Sequence, residues 1–130
     1  MPYKLKFKLL GHGLAVCRLA ADASVPAWAL DGDFFCVVRT DDELAIVCVE
    51  DSVPDGCRAE KGWTAFKLEG PFPFSMTGVL AAFLDPLAQA KIPIFAISTF
   101  DTDYVLIKHE DRDRAIRALE GAGHQRNIAD

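Results

Sequence analysis

Two stretches of this chain share one arrangement. Arg39-Thr40-Asp41-Asp42-Glu43-Leu44-Ala45-Ile46-Val47 and Ser98-Thr99-Phe100-Asp101-Thr102-Asp103-Tyr104-Val105-Leu106 each pass from an apolar strand through a threonine and an acidic turn into a second apolar strand. Each pair follows a segment of helical character, short around Trp28 and long around Phe83. A helix that feeds a strand pair, twice in one chain, points to two β-α-β-β units in tandem.

The local patterns fill in that outline. Lys4 to Leu10 alternates polar and apolar residues, the period of a half-buried strand. Leu14–Leu19, Phe34–Arg39 and Leu44–Val49 read as further strands, the last two as a hairpin closed by Thr40-Asp41-Asp42. Val25 to Leu30, with Pro26 early, has room for one or two helical turns. Residues 50–62 read as a loop, and Trp63–Leu68 as a strand that ends at Glu69-Gly70-Pro71. Pro71 to Met76 is a loop. Val79, Leu80, Phe83, Leu84 and Leu87 then carry the apolar stripe of a helix over Val79–Ala90. Pro86 lies inside it and takes away the donor for the carbonyl of Ala82, so a kink is expected there. Ile92–Ser98 and Tyr104–Ile107 are strands. Glu110–Glu120 is an amphipathic helix with Ala115, Ile116 and Leu119 inward, and residues 123–130 form a tail or a short edge strand.

The order of elements is that of the ferredoxin-like β-α-β-β-α-β plan. The expected class is α+β: two tandem ferredoxin-like (βαββαβ) units, residues 1–62 and 63–130, with helices covering one face of each antiparallel sheet. A unit of roughly 65 residues buries a marginal core, so the two should pack together. Open strand edges add pressure to self-associate, and a homodimer is expected.

Composition narrows the function. The chain has 130 residues, 51% hydrophobic and 25% charged, enough for a core. Fourteen Lys and Arg against 19 Asp and Glu leave a net charge of −5, which argues against a nucleic-acid partner. No apolar run reaches the roughly 18–20 residues of a membrane span. The start of the chain alternates charge with apolar groups, unlike a signal peptide, so a cytoplasmic location is expected. Cys17, Cys36, Cys48 and Cys57 form no C-x-x-C pair, and His12, His109 and His124 are scattered, so no metal and no cofactor are expected. Phosphate-binding, zinc-protease and nucleophile-elbow motifs are missing from the sequence, and the chain does not read as an enzyme. A catalytic role for Cys57 or the acidic turn is the lowest-ranked reading.

The residues from Thr77 to Ile107, TGVLAAFLDPLAQAKIPIFAISTFDTDYVLI, strongly resemble an ACT domain. The resemblance is to the small tandem-ACT proteins related to the CASTOR arginine sensors, and to the ACT repeats of aspartokinases with their same helix, I-x-I, IST and acidic-turn order. Phe34 to Cys48 fits the first repeat of the small tandem proteins. ACT domains are regulatory modules, and the resemblance implies an amino acid bound where two ACT units meet.

The residues have chemistry to match. Met76, Thr77, Gly78, Val79 and Leu80 place backbone N–H groups at a helix start, where an α-carboxylate is favoured. Ser98, Thr99, Phe100, Asp101, Thr102 and Asp103 form the turn opposite, where Asp101 and Asp103 can accept from an ammonium group and Phe100 can cover an aliphatic stem. Simpler readings exist for each: Thr77 as a helix N-cap, Gly78 as a turn glycine, and the 98–103 segment as a solvated hairpin turn. The rival function is a structural adaptor whose dimer binds a protein partner and no metabolite.

Overall fold

The computed structural model describes residues 3–128. The last two residues of the expected tail lie outside that range. The fold is mixed α+β, with eight strands, two α-helices and three short 3-10 turns among the described residues. Its residues divide into two compact units. Among the described residues, one contains residues 3–11 with 64–128, the other residues 12–63. The first strand of the chain lies in the larger unit.

In that larger unit, β1 (Lys6–Leu9) pairs antiparallel with β5 (Ala59–Leu68), Phe7 opposite Leu68 and Leu9 opposite Phe66. On its other side β1 pairs in parallel with β8 (Gln125–Arg126), which gives the tail its short strand. β7 (Asp103–Lys108) pairs with β5, and β6 (Ile94–Ser98) lies beyond it in an antiparallel ladder running from Ile94–Ile107 to Ser98–Asp103.

Helices α1 (Val79–Gln89) and α2 (Arg112–Gly121) bury one stripe each. Val79, Phe83 and Leu87 recur at every fourth position, as one face of a 3.6-residue helix requires, and join Ala115 and Leu119 over Phe7, Phe66, Leu68, Val105 and Ile107. Phe7 stacks on Phe66 with centroids 5.8 Å apart and meets the edge of Phe83 at 5.6 Å. Side chains alternate along β5 and β7, so Lys67 and Tyr104 project from the face that the helices leave open.

α1 remains one helix through Pro86. The ring of His124, only 4% exposed, lies 2.9 Å from the Ala82 carbonyl through Nε2. Its Nδ1 accepts from the Leu5 amide at 3.0 Å, which assigns the ring proton to Nε2. The carbonyl that Pro86 deprives of a helical donor is thus supplied from 42 residues away.

The smaller unit is a sheet in which β4 (Leu44–Val49) lies between β3 (Cys36–Arg39) and β2 (Leu14–Leu19). β2 also pairs antiparallel with the first residues of β5, with a register shift between Leu14 and Val16. β5 is ten residues long and starts at Ala59, four residues earlier than its apolar run suggests. Glu60 and Lys61 are exposed, so this part of the strand has no buried alternation to reveal it. Among the described residues of this unit, helix is confined to 3-10 turns at Ala27–Leu30 and Glu50–Ser52. Its core gathers Ala15, Cys17, Ala29, Leu44, Ile46, Cys48 and Val53.

Candidate functional site

Two threonine-closed turns share one chemistry, and the second of them lines the candidate site. The Thr40 hydroxyl accepts from the amides of Asp42 and Glu43 at 3.1 and 3.2 Å, and the Thr40 amide donates to the Glu43 carbonyl at 2.9 Å. In the other turn, the Thr99 hydroxyl accepts from the Thr102 amide at 3.3 Å, and the Thr99 amide donates to the Thr102 carbonyl at 2.8 Å. A threonine at the start of a turn satisfies the backbone that the turn exposes, which explains its place in both motifs.

The second turn is anchored further. Thr102 is 7% exposed and its hydroxyl donates to the Leu68 carbonyl at 2.7 Å, tying the turn to β5. The Phe72 amide donates to the Asp101 carbonyl at 2.8 Å, so the loop between β5 and α1 is tied to the turn as well. Gly70 permits this approach. A Cβ there would sit 2.9 Å from the Asp101 carbonyl oxygen, closer than side chains are found to backbone.

The loop then turns into α1 at Gly78, whose φ of +80° lies in the left-handed region that glycine tolerates best. Gly78 occupies the N-cap position, one residue later than a threonine cap would place it. Thr77 is engaged through its backbone instead, where its carbonyl accepts from the Tyr3 hydroxyl at 2.7 Å. Among the described residues, no side chain caps the start of the helix. Its first intrahelical bond runs from the Ala82 amide to the Gly78 carbonyl at 3.0 Å, so the amides of Val79, Leu80 and Ala81 precede the helical ladder.

Loop, helix start and turn enclose a cleft of about 340 Å³. Of the residues picked out from sequence, Met76, Gly78, Val79, Leu80, Ser98, Thr99, Phe100, Asp101, Thr102 and Asp103 all line it. Thr77 does not. Phe72, Pro73, Phe74 and Ala81 complete the lining. The Phe-Pro-Phe run just before the helix is the sequence signal for the first three, which read there only as loop.

The two acidic residues differ. The Ser98 hydroxyl donates to the Asp103 carboxylate across the end of the β6–β7 ladder, so one Asp103 oxygen is committed. Asp101 is exposed at the turn. At the mouth, Phe74 and Phe100 meet edge to face with centroids 4.8 Å apart while remaining 75% and 78% exposed. The cleft thus combines helix-start amides, a free carboxylate and an aromatic rim, and among the described residues no lysine or arginine lines it.

Elsewhere, burial pushes the Cys17 thiol up from 9.0 to about 12, with the neighbouring Cys48 and Cys57 adding to it. Burial likewise raises Cys36 and Cys48. Among the described residues, no helix is long and apolar enough to cross a membrane.

These elements define an α+β fold of ferredoxin type, built from β5, α1, β6, β7 and α2 with β1 completing the sheet. The ACT domain model matches residues 58–121, which span all five of those elements, and a model of an N-terminal domain matches residues 13–56. A protein from Agobacterium tumefaciens, solved by crystallography, is 39% identical with a TM-score of 0.92, over 98% of this chain and 96% of that one. The chain belongs to the ACT domain family. A Vibrio cholerae protein of unknown function, described as a possible transport protein, is similar at 16% identity and a TM-score of 0.73, over 93% of this chain and 91% of that one. The ligand-free regulatory subunit of aspartate kinase from Thermus thermophilus is similar at 16% identity and a TM-score of 0.62, over 87% of this chain and 93% of that one. At these last two identities the likeness is one of fold.

Proposed function

We propose that this chain is a regulatory module that binds a free amino acid in the cleft between the start of α1 and the 99–102 turn. The α-carboxylate is received by the amides of the first helical turn, where the helix dipole also favours an anion. The ammonium group faces Asp101, with Phe74 and Phe100 covering the side chain. The module performs no chemistry of its own. It acts in the cytoplasm as a homodimer, with the ligand at a junction between ACT units, and a partner protein reads the change. A ligand of this kind shifts an equilibrium only by its differential affinity for the two packings.

The observation that carries this reading is the convergence of uncapped helix amides and an uncommitted carboxylate on one cleft. The experiment is thermal unfolding with each free amino acid supplied singly at millimolar concentration. One or a few should raise the Tm, as any ligand that binds the native state does. A flat response to all of them overturns the reading.

A second reading has one observation in its favour. Phe74 and Phe100 form an exposed aromatic pair, and such patches mark protein interfaces. An adaptor that docks a protein through this pair predicts no response to amino acids and loss of partner binding on Phe74→Ala.

A further inference from the structure

The 99–102 turn has a second side. Behind it lies another cleft of about 230 Å³, on the sheet face that the helices leave open, and its lining is of a different character. Lys67, Glu69 and Tyr104 belong to this cleft and not to the first, whereas Thr99, Asp101 and Thr102 line both. The Lys67 Nζ stands 5.9 Å from the centre of the Tyr104 ring, within reach of a cation–π attraction. Lys67 lies in β5 and Glu69 follows directly after the strand, and both line this cleft. The Glu69 carboxylate receives the Asn127 side-chain amide at 3.4 Å, and the Glu69 amide donates to the Lys6 carbonyl at 2.8 Å. The wall opposite is the turn pinned by Thr102 to Leu68.

We propose that this second cleft binds a small zwitterion, with Lys67 receiving its carboxylate and Glu69 and Asp101 receiving its ammonium group. A lone anion would meet two carboxylates, and a lone cation would meet Lys67. A molecule carrying both charges a few bonds apart, such as an α-amino acid, satisfies all three side chains together. The turn and the Glu69 backbone, which carry these side chains, are held by hydrogen bonds. Asp101 serves both clefts, so a ligand that draws it to one side withdraws it from the other, and occupancy of the two is antagonistic. Binding at the second cleft does not depend on the first being a ligand site.

The test is amide and side-chain NMR of the isotopically labelled full chain, titrated with the free amino acids one at a time and with acetate and methylammonium as single-charge controls. At least one amino acid should move the resonances of Lys67, Glu69 and Tyr104 saturably, while acetate and methylammonium at equal concentration do not. Lys67→Gln should weaken that response at least tenfold and leave any response at Met76, Gly78 and Leu80 in place. Glu69→Gln serves as the second variant, with the dispersion of the spectrum reporting the fold of each. No movement at Lys67, Glu69 and Tyr104 with any amino acid overturns the proposal, as does an equal response to acetate or an undiminished response in both variants. Failure of the first cleft reads out separately, as silence at Met76, Gly78 and Leu80.

Discussion

Pro86 and His124 are two halves of one hydrogen-bonding arrangement. The proline removes the amide that would serve the Ala82 carbonyl, and the histidine supplies Nε2–H in its place, 2.9 Å away. Since the same ring accepts from the Leu5 amide, it ties the residue just before β1 to α1. His124→Ala strands one buried and one part-buried backbone group and should cost about 2–3 kcal/mol. Pro86→Ala returns an amide to Ala82, so the double variant should lose less than His124→Ala alone relative to its own parent, with a coupling of about 1 kcal/mol. Urea unfolding of the four proteins measures this, and strict additivity would contradict the arrangement.

Gly78 should resist replacement. Its φ of +80° is strained for any L side chain, while the space is adequate, since a Cβ would meet Tyr3 Cε2 at an ordinary 3.6 Å. Gly78→Ala should therefore cost about 1–2 kcal/mol from the backbone alone. An equilibrium unfolding curve gives the value, and a neutral or stabilising result would mean that α1 starts differently.

Thr102→Val keeps the shape of the side chain and removes the donor to Leu68. The expected loss is about 1–2 kcal/mol. Amide exchange should quicken across residues 99–103, because the turn loses its anchor to β5. Unchanged exchange there would contradict the role given to this bond.

Cys17 should make stability fall in alkali. Its folded thiol titrates near 12 against an ordinary 9.0, so the native state holds the proton more tightly than the unfolded chain. The stabilisation is complete below pH 9 and is lost as pH rises toward about 12. Cys17→Ala should flatten the fall of Tm over that window, and an unaltered slope would contradict the assignment.

How much of the fold and the cleft is legible in the sequence follows from distance along the chain. The stripe on α1 and the two threonine turns are local patterns, and they stand where the sequence puts them. The residues of the first cleft come together because only Ala90 to Pro93 separate α1 from β6, and four residues separate β6 from β7. Long-range pairings leave no such trace. Pro86 shows that Ala82 needs a donor but not that residue 124 provides it. Nothing near Tyr3 announces its bond to Thr77, 74 residues on. β1 carries a strand pattern that does not say which unit it joins, and the exposed Glu60 and Lys61 hide the start of β5.

The most direct measurement of the central claim is a crystal structure with the amino acid that raises the Tm most. The account expects the ligand in the first cleft, its carboxylate within hydrogen-bonding reach of the amides of the first turn of α1 and its ammonium group turned to Asp101. A ligand bound elsewhere on the chain, with those amides untouched, would contradict it.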